Sequence, residues 1–363
     1  MISIVLLNYN WKQFNKSCIN SVLTQSYQDF EIIFVDQCSN DWSLEEVENI
    51  YQKEIKNWII KIVKNYINNW FSWGNNLWAK HADKNSKYIC LLNNDTTVPK
   101  NWLEVMINKI DNNKDLWAIS CIIYDKWSET KTKNQIYVKK KKQVSTIFWE
   151  SVFSKMEQEE IDESLYYTTI LSWCCFMYRK NIIKEPFPEY YFAYAEDVFL
   201  GRYIINLWYK LWVALDTYVN HYGSWSFWTK PSKLKLFHWN KNQIINYLVF
   251  YPWYYKILLF PLFLIKEFAH LFMGSPIMRL KAKIEWWRRI IKNYNSIIIT
   301  REWVMKNKTI SSYVFILQQK FQLSDPFLMK NTFLKWLLFL WNVIFSIYGY
   351  IVKSFLYIVN LLI

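Results

Sequence analysis

Four short apolar runs open the chain: "ISIVLL" (2–7), "EIIFV" (31–35), "IIKIV" (59–63) and "YICLL" (88–92), each followed by a longer mixture of polar and apolar residues. Runs of this length separated by helical lengths predict βαβ units, hence an α/β fold with a mostly parallel sheet flanked by helices. The residues that leave the runs are "NYN", "DQCSND", "NYINN" and "NNDTT". They gather at the carboxyl edge of the strands, where open α/β sheets bind ligands. Past residue 125 the pattern loosens into "KWSETKTKNQIYVKKKKQ", which reads as a solvated surface loop. Regularity returns with a buried strand within 168–180, a helix entered at the acid pair of "YFAYAEDVFLGRYIINL", and a strand at "LWVALD" (211–216).

The character changes near residue 240, which divides a catalytic domain, 1–240, from a helical region, 241–363. Segments 246–272 and 332–363 are apolar and aromatic but broken by Pro252, Pro261, Lys256, Asn342 and Lys353. Interrupted stretches with flanking lysines fit helices lying in a membrane interface, or a marginal C-terminal span, and ordinary core helices share the same pattern.

Charge narrows the partners. Lysine and arginine number 44 against 30 acids, a net +14, which suits phosphate groups, nucleic acid or an acidic membrane face. The six cysteines show no Cys-x-x-Cys spacing. They read as reduced thiols, most of them core residues, in a cytosolic setting. The opening "MISIVLLNYN" has no basic region or cleavage site, so the N-terminal half is expected inside the cell.

Tryptophan is out of place. There are 22 tryptophans and five glycines, together roughly the 7% that glycine alone averages. Trp11, Trp42, Trp58, Trp70 and Trp102 each follow Asn or Asp, where Asn-Gly and Asp-Gly are the dipeptides turns demand. A UGA codon read as tryptophan in a gene whose code reads it as glycine produces this pattern. With glycine restored, "NNWFSWGNNLWAK" (68–80) is expected to be a tight loop. Trp102 and Trp253 sit in contexts natural for tryptophan, and a chain rich in aromatics for a membrane interface is the competing explanation.

Three places carry candidate chemistry. Asn93 and Asp95 stand two apart in "LLNNDTTVP", so an extended backbone directs both toward one cation, although an Asp-Asn turn accounts for them equally. His221 sits in the polar, turn-like "NHYGSWS" after a strand, as Asp95 does, and neutral imidazole is a common metal ligand. Glu196 and Asp197 start a helix, where the helix dipole alone favours carboxylates.

Taken together, "SIVLLNYNWKQF", "SVLTQSYQDFEIIFVDQCSNDWS", "NNWFSWGNNLWAK", "YICLLNNDTTVPKNWLE", "LSWCCFMYRK", "FAYAEDVFLGRYIINLWYKLWVALD" and "HYGSWS" resemble family 2 glycosyltransferases, in particular the bacterial rhamnosyltransferase-like branch, over residues 2 to about 250. The resemblance implies a GT-A fold that binds a nucleotide diphospho-sugar and a divalent cation, magnesium or manganese. It implies an inverting transfer to a saccharide or polyprenyl-linked acceptor in cell-surface polysaccharide synthesis, on the cytoplasmic face of an anionic membrane and without nucleic acid. Asp36 matches the acid that contacts the base, Tyr9 and Asn10 the loop beside it, and Asp41 the turn that follows. Asn76 matches a loop asparagine near the nucleotide, Asn93 and Asp95 the ends of the Asp-x-Asp motif, and His221 a histidine near the diphosphate. Asp197 matches the catalytic base, with Glu196 beside it. Asn93 departs from the motif's first aspartate, and Phe199 stands where an acid is common. Family members carry glycine at the positions of Trp11, Trp42, Trp70, Trp73, Trp78, Trp173, Trp208 and Trp225. Two rival classes are a nucleotidyltransferase, which lacks its glycine-rich lysine loop here, and a non-catalytic membrane-associated nucleotide-sugar-binding protein.

Overall fold

The computed structural model describes residues 1–68, 70–125, 141–145, 151–155, 161–162, 164–170, 174–181, 187–222, 233–272, 276–308 and 332–362. Its contacts divide the chain into two units. The first comprises Met1–Lys142, Lys155–Ile204 and Tyr209–Lys233; the second comprises Gln143–Ser154, Ile205–Trp208 and Leu234–Ile363.

The first unit opens as β1 (Ile2–Asn8), α1 (Lys12–Leu23), β2 (Phe30–Gln37), α2 (Ser43–Ile50), α3 (Gln52–Lys56), β3 (Ile60–Asn65), α4 (Trp70–Asn76), α5 (Trp78–His81) and β4 (Tyr88–Asn93). The next elements are β5 (Thr96–Thr97), α6 (Trp102–Asn112) and β6 (Leu116–Asp125). A separate ribbon pairs β7 (Lys141–Ser145) with β8 (Ser151–Lys155), and β9 (Ile161–Asp162), β10 (Leu165–Thr168), β11 (Cys175–Arg179), α7 (Glu196–Asn206) and β12 (Lys210–His221) follow. Burial explains the early pattern. β1 and β2 are almost wholly buried, as strands covered on both faces must be, and so read as unbroken apolar runs rather than alternation. α1 buries Asn15, Cys18, Ile19 and Val22, the spacing of one helical face.

The sheet corrects one expectation. Its order is β3-β2-β1-β4-β11-β6-β12-β10-β9, with β5 on β12. β3, β2, β1 and β4 are parallel, as the apolar runs predicted. β11 then inserts antiparallel between β4 and β6, and β10 and β5 run antiparallel to β12. The sheet is therefore mixed. Insertion of β11 from a distant part of the chain follows no local pattern, because parallel and antiparallel buried strands share the same apolar run.

A second correction concerns residues 68–80. Residues 70–76 and 78–80 lie in α4 and α5 rather than a loop, and Ser72, Gly74, Asn75 and Asn76 are buried. Gly74 answers to packing: a Cβ there would collide with Gln37 Nε2 and lie 2.7 Å from Leu7 Cδ1. Glycine lets this helix approach β1 and β2 closely. A third concerns the lysine run. Residues 126–140 lie outside the described residues, but Lys141 and Lys142 begin β7 rather than continuing a loop. Trp173 and Trp225 also lie outside the described residues.

Among the described residues three tryptophans hold left-handed backbone: Trp42 (φ 62°), Trp58 (φ 61°) and Trp208 (φ 68°). Trp58 follows α3, and Trp208 follows α7. At α3 the N–H of Trp58 donates to Ile55 O (3.1 Å) and that of Ile59 to Glu54 O (2.9 Å). At α7 the N–H of Trp208 donates to Ile205 O (2.9 Å) and that of Tyr209 to Ile204 O (3.3 Å). Each pair of bonds is a Schellman motif, whose left-handed position is the one glycine normally fills.

Apart from most of the β7–β8 ribbon and residues 205–208, the second unit is helical among the described residues: α8 (Lys233–Phe250), α9 (Trp253–Phe272), α10 (Pro276–Lys292), α11 (Tyr294–Lys306) and α12 (Thr332–Leu362). α9 continues through Pro261. Within α12, Phe339–Tyr357 has mean hydropathy 1.4, long and apolar enough to cross a membrane.

Candidate active site

The carboxyl ends of β1, β2 and β4 carry a buried polar network. Asn8, the last residue of β1, donates through its amide nitrogen to Asp36 Oδ1 on β2 at 2.8 Å and to Ser43 Oγ at 2.8 Å. Its carbonyl oxygen accepts from Asn15 Nδ2 (3.0 Å) and Asn94 Nδ2 (3.0 Å), and Asn94 also donates to Asn15 Oδ1 (2.8 Å). Asp36 Oδ2 takes the backbone N–H of Ser39 at 3.0 Å. Burying these groups is tolerable because each is hydrogen-bonded. The network holds Asp36 against the turn that follows, where Asn10 Oδ1 accepts the Asn40 N–H (2.8 Å) and Ser39 Oγ accepts the Asn10 N–H (3.1 Å). Asn10 is left-handed at φ 56°, a conformation asparagine tolerates. Tyr9 beside it is exposed.

Asp41 caps the same turn. Its carboxylate accepts the N–H groups of Lys12 (3.0 Å) and Ser43 (3.1 Å). Burial pushes its pKa up, but hydrogen bonds from Ser43 and Lys12 outweigh that and hold the carboxyl below its ordinary value.

His221 is the last residue of β12, not part of a turn beyond it. The strand expected to stop near residue 216 continues through a register shift between Ala214 and Tyr218. Pairing His221 with Thr96 and Asn220 with Thr97 then carries the imidazole to the segment after β4. His221 Nε2 lies 3.4 Å from Asp95 Oδ1, and Asp95 O accepts the Tyr222 N–H at 2.8 Å. Asp95 Oδ1 is buried and accepts no hydrogen bond among the described residues. A hard oxygen left open beside an imidazole nitrogen fits a magnesium or manganese ion. Among the described residues no cluster of three or more His, Cys, Asp or Glu is arranged to hold a metal. Asn93, at the end of β4, contributes backbone, its O accepting from Thr96 Oγ1 at 2.6 Å. Cys18 lies under this segment, and burial pushes its thiol up to about 12, with Asp95's negative charge adding to the rise.

Glu196 and Asp197 open α7, Glu196 buried and Asp197 half-buried, with Asp197 Oδ1 accepting the Val198 N–H at 2.7 Å. The approach to them is strained. Phe192, Tyr194 and Ala195 all have φ between 62° and 71°. Phe192, at φ 71° and ψ −70° with an Ala193 N–H to Tyr191 O bond of 2.9 Å, forms a γ-turn. Non-glycine residues in such conformations cost about 1–3 kcal/mol each and persist where the surroundings over-determine them. α4 does so here. Asn76 Nδ2 donates to Phe187 O (2.7 Å), its Oδ1 accepts the Phe187 N–H (3.2 Å), and the Ser72 N–H reaches Phe192 O at 3.3 Å. Both amide atoms of Asn76 are thus committed to the loop that delivers the acid pair. Phe199 turns inward, fully buried and edge-to-face with Tyr191 at 5.4 Å.

The sequence reading missed Asn8, Asn15 and Asn94. Asparagine at a strand end reads as turn chemistry, and only adjacency across β1 and β4 reveals the network.

Residues 3–187 match the family described as Glycosyl transferase family 2. A mixed α/β sheet with polar side chains at its strand ends is the GT-A-like frame of nucleotide-sugar transferases, and this chain belongs to glycosyl transferase family 2. Two curated relatives from Haemophilus influenzae, each named "Uncharacterized glycosyltransferase", are 26% identical over 119 residues and 31% identical over 108. Those matches cover 33% and 30% of this chain, and only 35% and 41% of the relatives' own length. Among solved structures, GalNAc-T7 with UDP, GalNAc and Mn2+ is similar at a TM-score of 0.55 and 15% identity, covering 69% of this chain and 48% of that one. S. aureus TarS 1–349 in complex with UDP is similar at 0.51 and 16%, covering 88% and 83%. At these identities the likeness shows the fold.

Proposed function

We propose that this protein is an inverting glycosyltransferase that moves a sugar from a nucleotide diphospho-sugar to a saccharide or lipid-linked acceptor at the cytoplasmic face of a membrane, in cell-surface polysaccharide synthesis and within the rhamnosyltransferase-like branch. The observation that carries the reading is the meeting of Asp95 and His221 at the strand ends, beside the Asn8–Asp36 network. Asp36 receives the nucleotide base, Tyr9, Asn10 and Asp41 form the loop around it, and Asn93 lines the floor beside the diphosphate. Asp95 and His221 would hold a divalent cation, which when bound neutralises charge on the leaving diphosphate. The UDP in the TarS and GalNAc-T7 structures and the Mn2+ in the latter support a donor and cation of this kind.

Asp197 is the base. An acceptor hydroxyl is a poor nucleophile at neutral pH, so a carboxylate must take its proton as the oxygen attacks the anomeric carbon. A single displacement inverts that centre. Glu196 cannot share the role, since neighbours on a helix point about 100° apart; it orients the acceptor.

The test is transfer and donor hydrolysis with a panel of nucleotide sugars, with and without chelator, for the protein and for Asp197→Asn. Transfer should fall by roughly 10² to 10⁴ in the variant while donor binding persists. Near-normal transfer by the variant, full activity in excess chelator, or a product retaining the donor's anomeric configuration would overturn the reading.

A further inference from the structure

Beside an apolar core that includes Ile244, Ile245, Tyr255, Leu259 and Leu262, the helical unit buries polar side chains and exposes apolar ones. α8 buries His238, Lys241, Asn242, Gln243 and Asn246, while α9 points Tyr254, Ile257, Phe260, Leu264 and Ile265 outward. The charges of α9 turn in: Lys266 is 3% exposed and donates to Gln243 Oε1 at 2.7 Å, and Glu267 pairs with Lys283 of α10. A helix in water does the reverse. Packed against α9, α10 exposes Leu280, Ile284 and Ile291 along one stripe. At 100° per residue, the exposed Lys281, Arg288 and Lys292 form a cationic row directly beside it.

We propose that α9 and α10 form an interfacial anchor for an anionic bilayer, with α9's outer residues in the acyl boundary and the Lys281–Arg288–Lys292 row against lipid phosphates. The inference rests on the membrane-face reading above and names the surface that does the binding. Charge decides between a bilayer and a second copy of this chain. A two-fold interface sets the same patch against itself, so two cationic rows would meet with only Glu285 of each copy, already paired with Arg288 and Arg289, to offset them. Anionic headgroups supply the neutralising layer, and an apolar stripe flanked by cations is the signature of a helix lying in the interface.

The experiment is flotation of the full chain with phosphatidylcholine vesicles, alone and with phosphatidylglycerol. The protein should bind the anionic vesicles. The triple variant Lys281→Glu, Arg288→Glu, Lys292→Glu should weaken that binding at least tenfold, and Ile257→Ser with Leu264→Ser should weaken binding to both vesicle types. Donor hydrolysis by the charge variant should persist, which separates failure of this proposal from failure of the transferase reading. No binding by the unaltered chain, equal binding by the variants, or a vesicle-free dimer dispersed by Leu264→Ser would overturn it.

A different observation carries a second inference. The exposed tryptophans at 58 and 208 occupy the left-handed position of Schellman motifs, and Trp42 holds left-handed backbone before α2. A bulky residue there is an outlier, and glycine enters that region freely. We infer that the gene specifies glycine at 42, 58 and 208 through UGA codons. Trp102, fully buried in the core, is a true tryptophan. The codons at 42, 58 and 208 should read UGA and the one at 102 UGG. Trp58→Gly and Trp208→Gly should each raise the melting temperature by about 2 °C, whereas Trp102→Gly should lower it severely. UGG at 42, 58 and 208, or no rise for the first two variants, would overturn the inference.

Discussion

His221 Nε2 stands 3.4 Å from Asp95 Oδ1 because β5 pairs with the end of β12. If these two side chains hold the cation, their loss should differ in degree. Asp95→Ala should abolish donor turnover at any cation concentration. His221→Ala should raise the half-saturating manganese concentration about tenfold, or ~1.4 kcal/mol. Hydrolysis of the donor titrated with manganese measures both, and identical curves for His221→Ala and the unaltered protein would remove the imidazole from the cation's shell.

Asn76 grips the Phe187 peptide and so fixes the strained loop before Glu196 and Asp197. Asn76→Ala should leave that peptide unpaired, costing about 1–3 kcal/mol of stability. It should lower kcat more than donor affinity, since the loop leads to Asp197, the proposed base. A variant with lowered donor affinity and normal kcat would place Asn76 on the nucleotide instead.

Asp41 gives the fold a pH signature. Its folded-state pKa lies below the ordinary 3.8, so its contribution to stability is fully present above that value and is lost as the pH falls through the lower folded one. The urea midpoint of Asp41→Asn should therefore lie below that of the parent at pH 6, and the two should converge in stronger acid. A gap that widens as the pH falls would contradict the assignment.

The thiols should sort by burial. Cys38 is exposed and the other five cysteines are buried, and burial pushes Cys18 up to about 12. Thiolate is the reactive form. Native protein should therefore take up one equivalent of alkylating reagent quickly, at Cys38, and the rest only on unfolding, as peptide mass mapping would show.

How much of this was legible depends on range. β1, β2 and β4 were readable because strands buried on both faces leave unbroken apolar runs, and the edge strand β3, only partly buried, because its short apolar run is broken by Lys61 alone. Asp95, His221 and the acid pair were readable as residue types at plausible places. α4 was not, because local turn chemistry around Gly74 and its asparagines outvoted a packing demand set by Leu7 and Gln37. β11's direction and the Asn8–Asn94 contact were also hidden, since both arise from strands that become neighbours only once the sheet is assembled.

The two-residue ladder between β5 and β12 also sets an order of events in time. Pairing Thr97 with Asn220 closes a very long loop, whose entropy must be met before the contact repays it. β1, β2 and β3 pair over much shorter separations. During refolding the burial of Trp102 should therefore return before the Asp95–His221 contact does. A kinetic interval follows in which the chain is compact but catalytically silent.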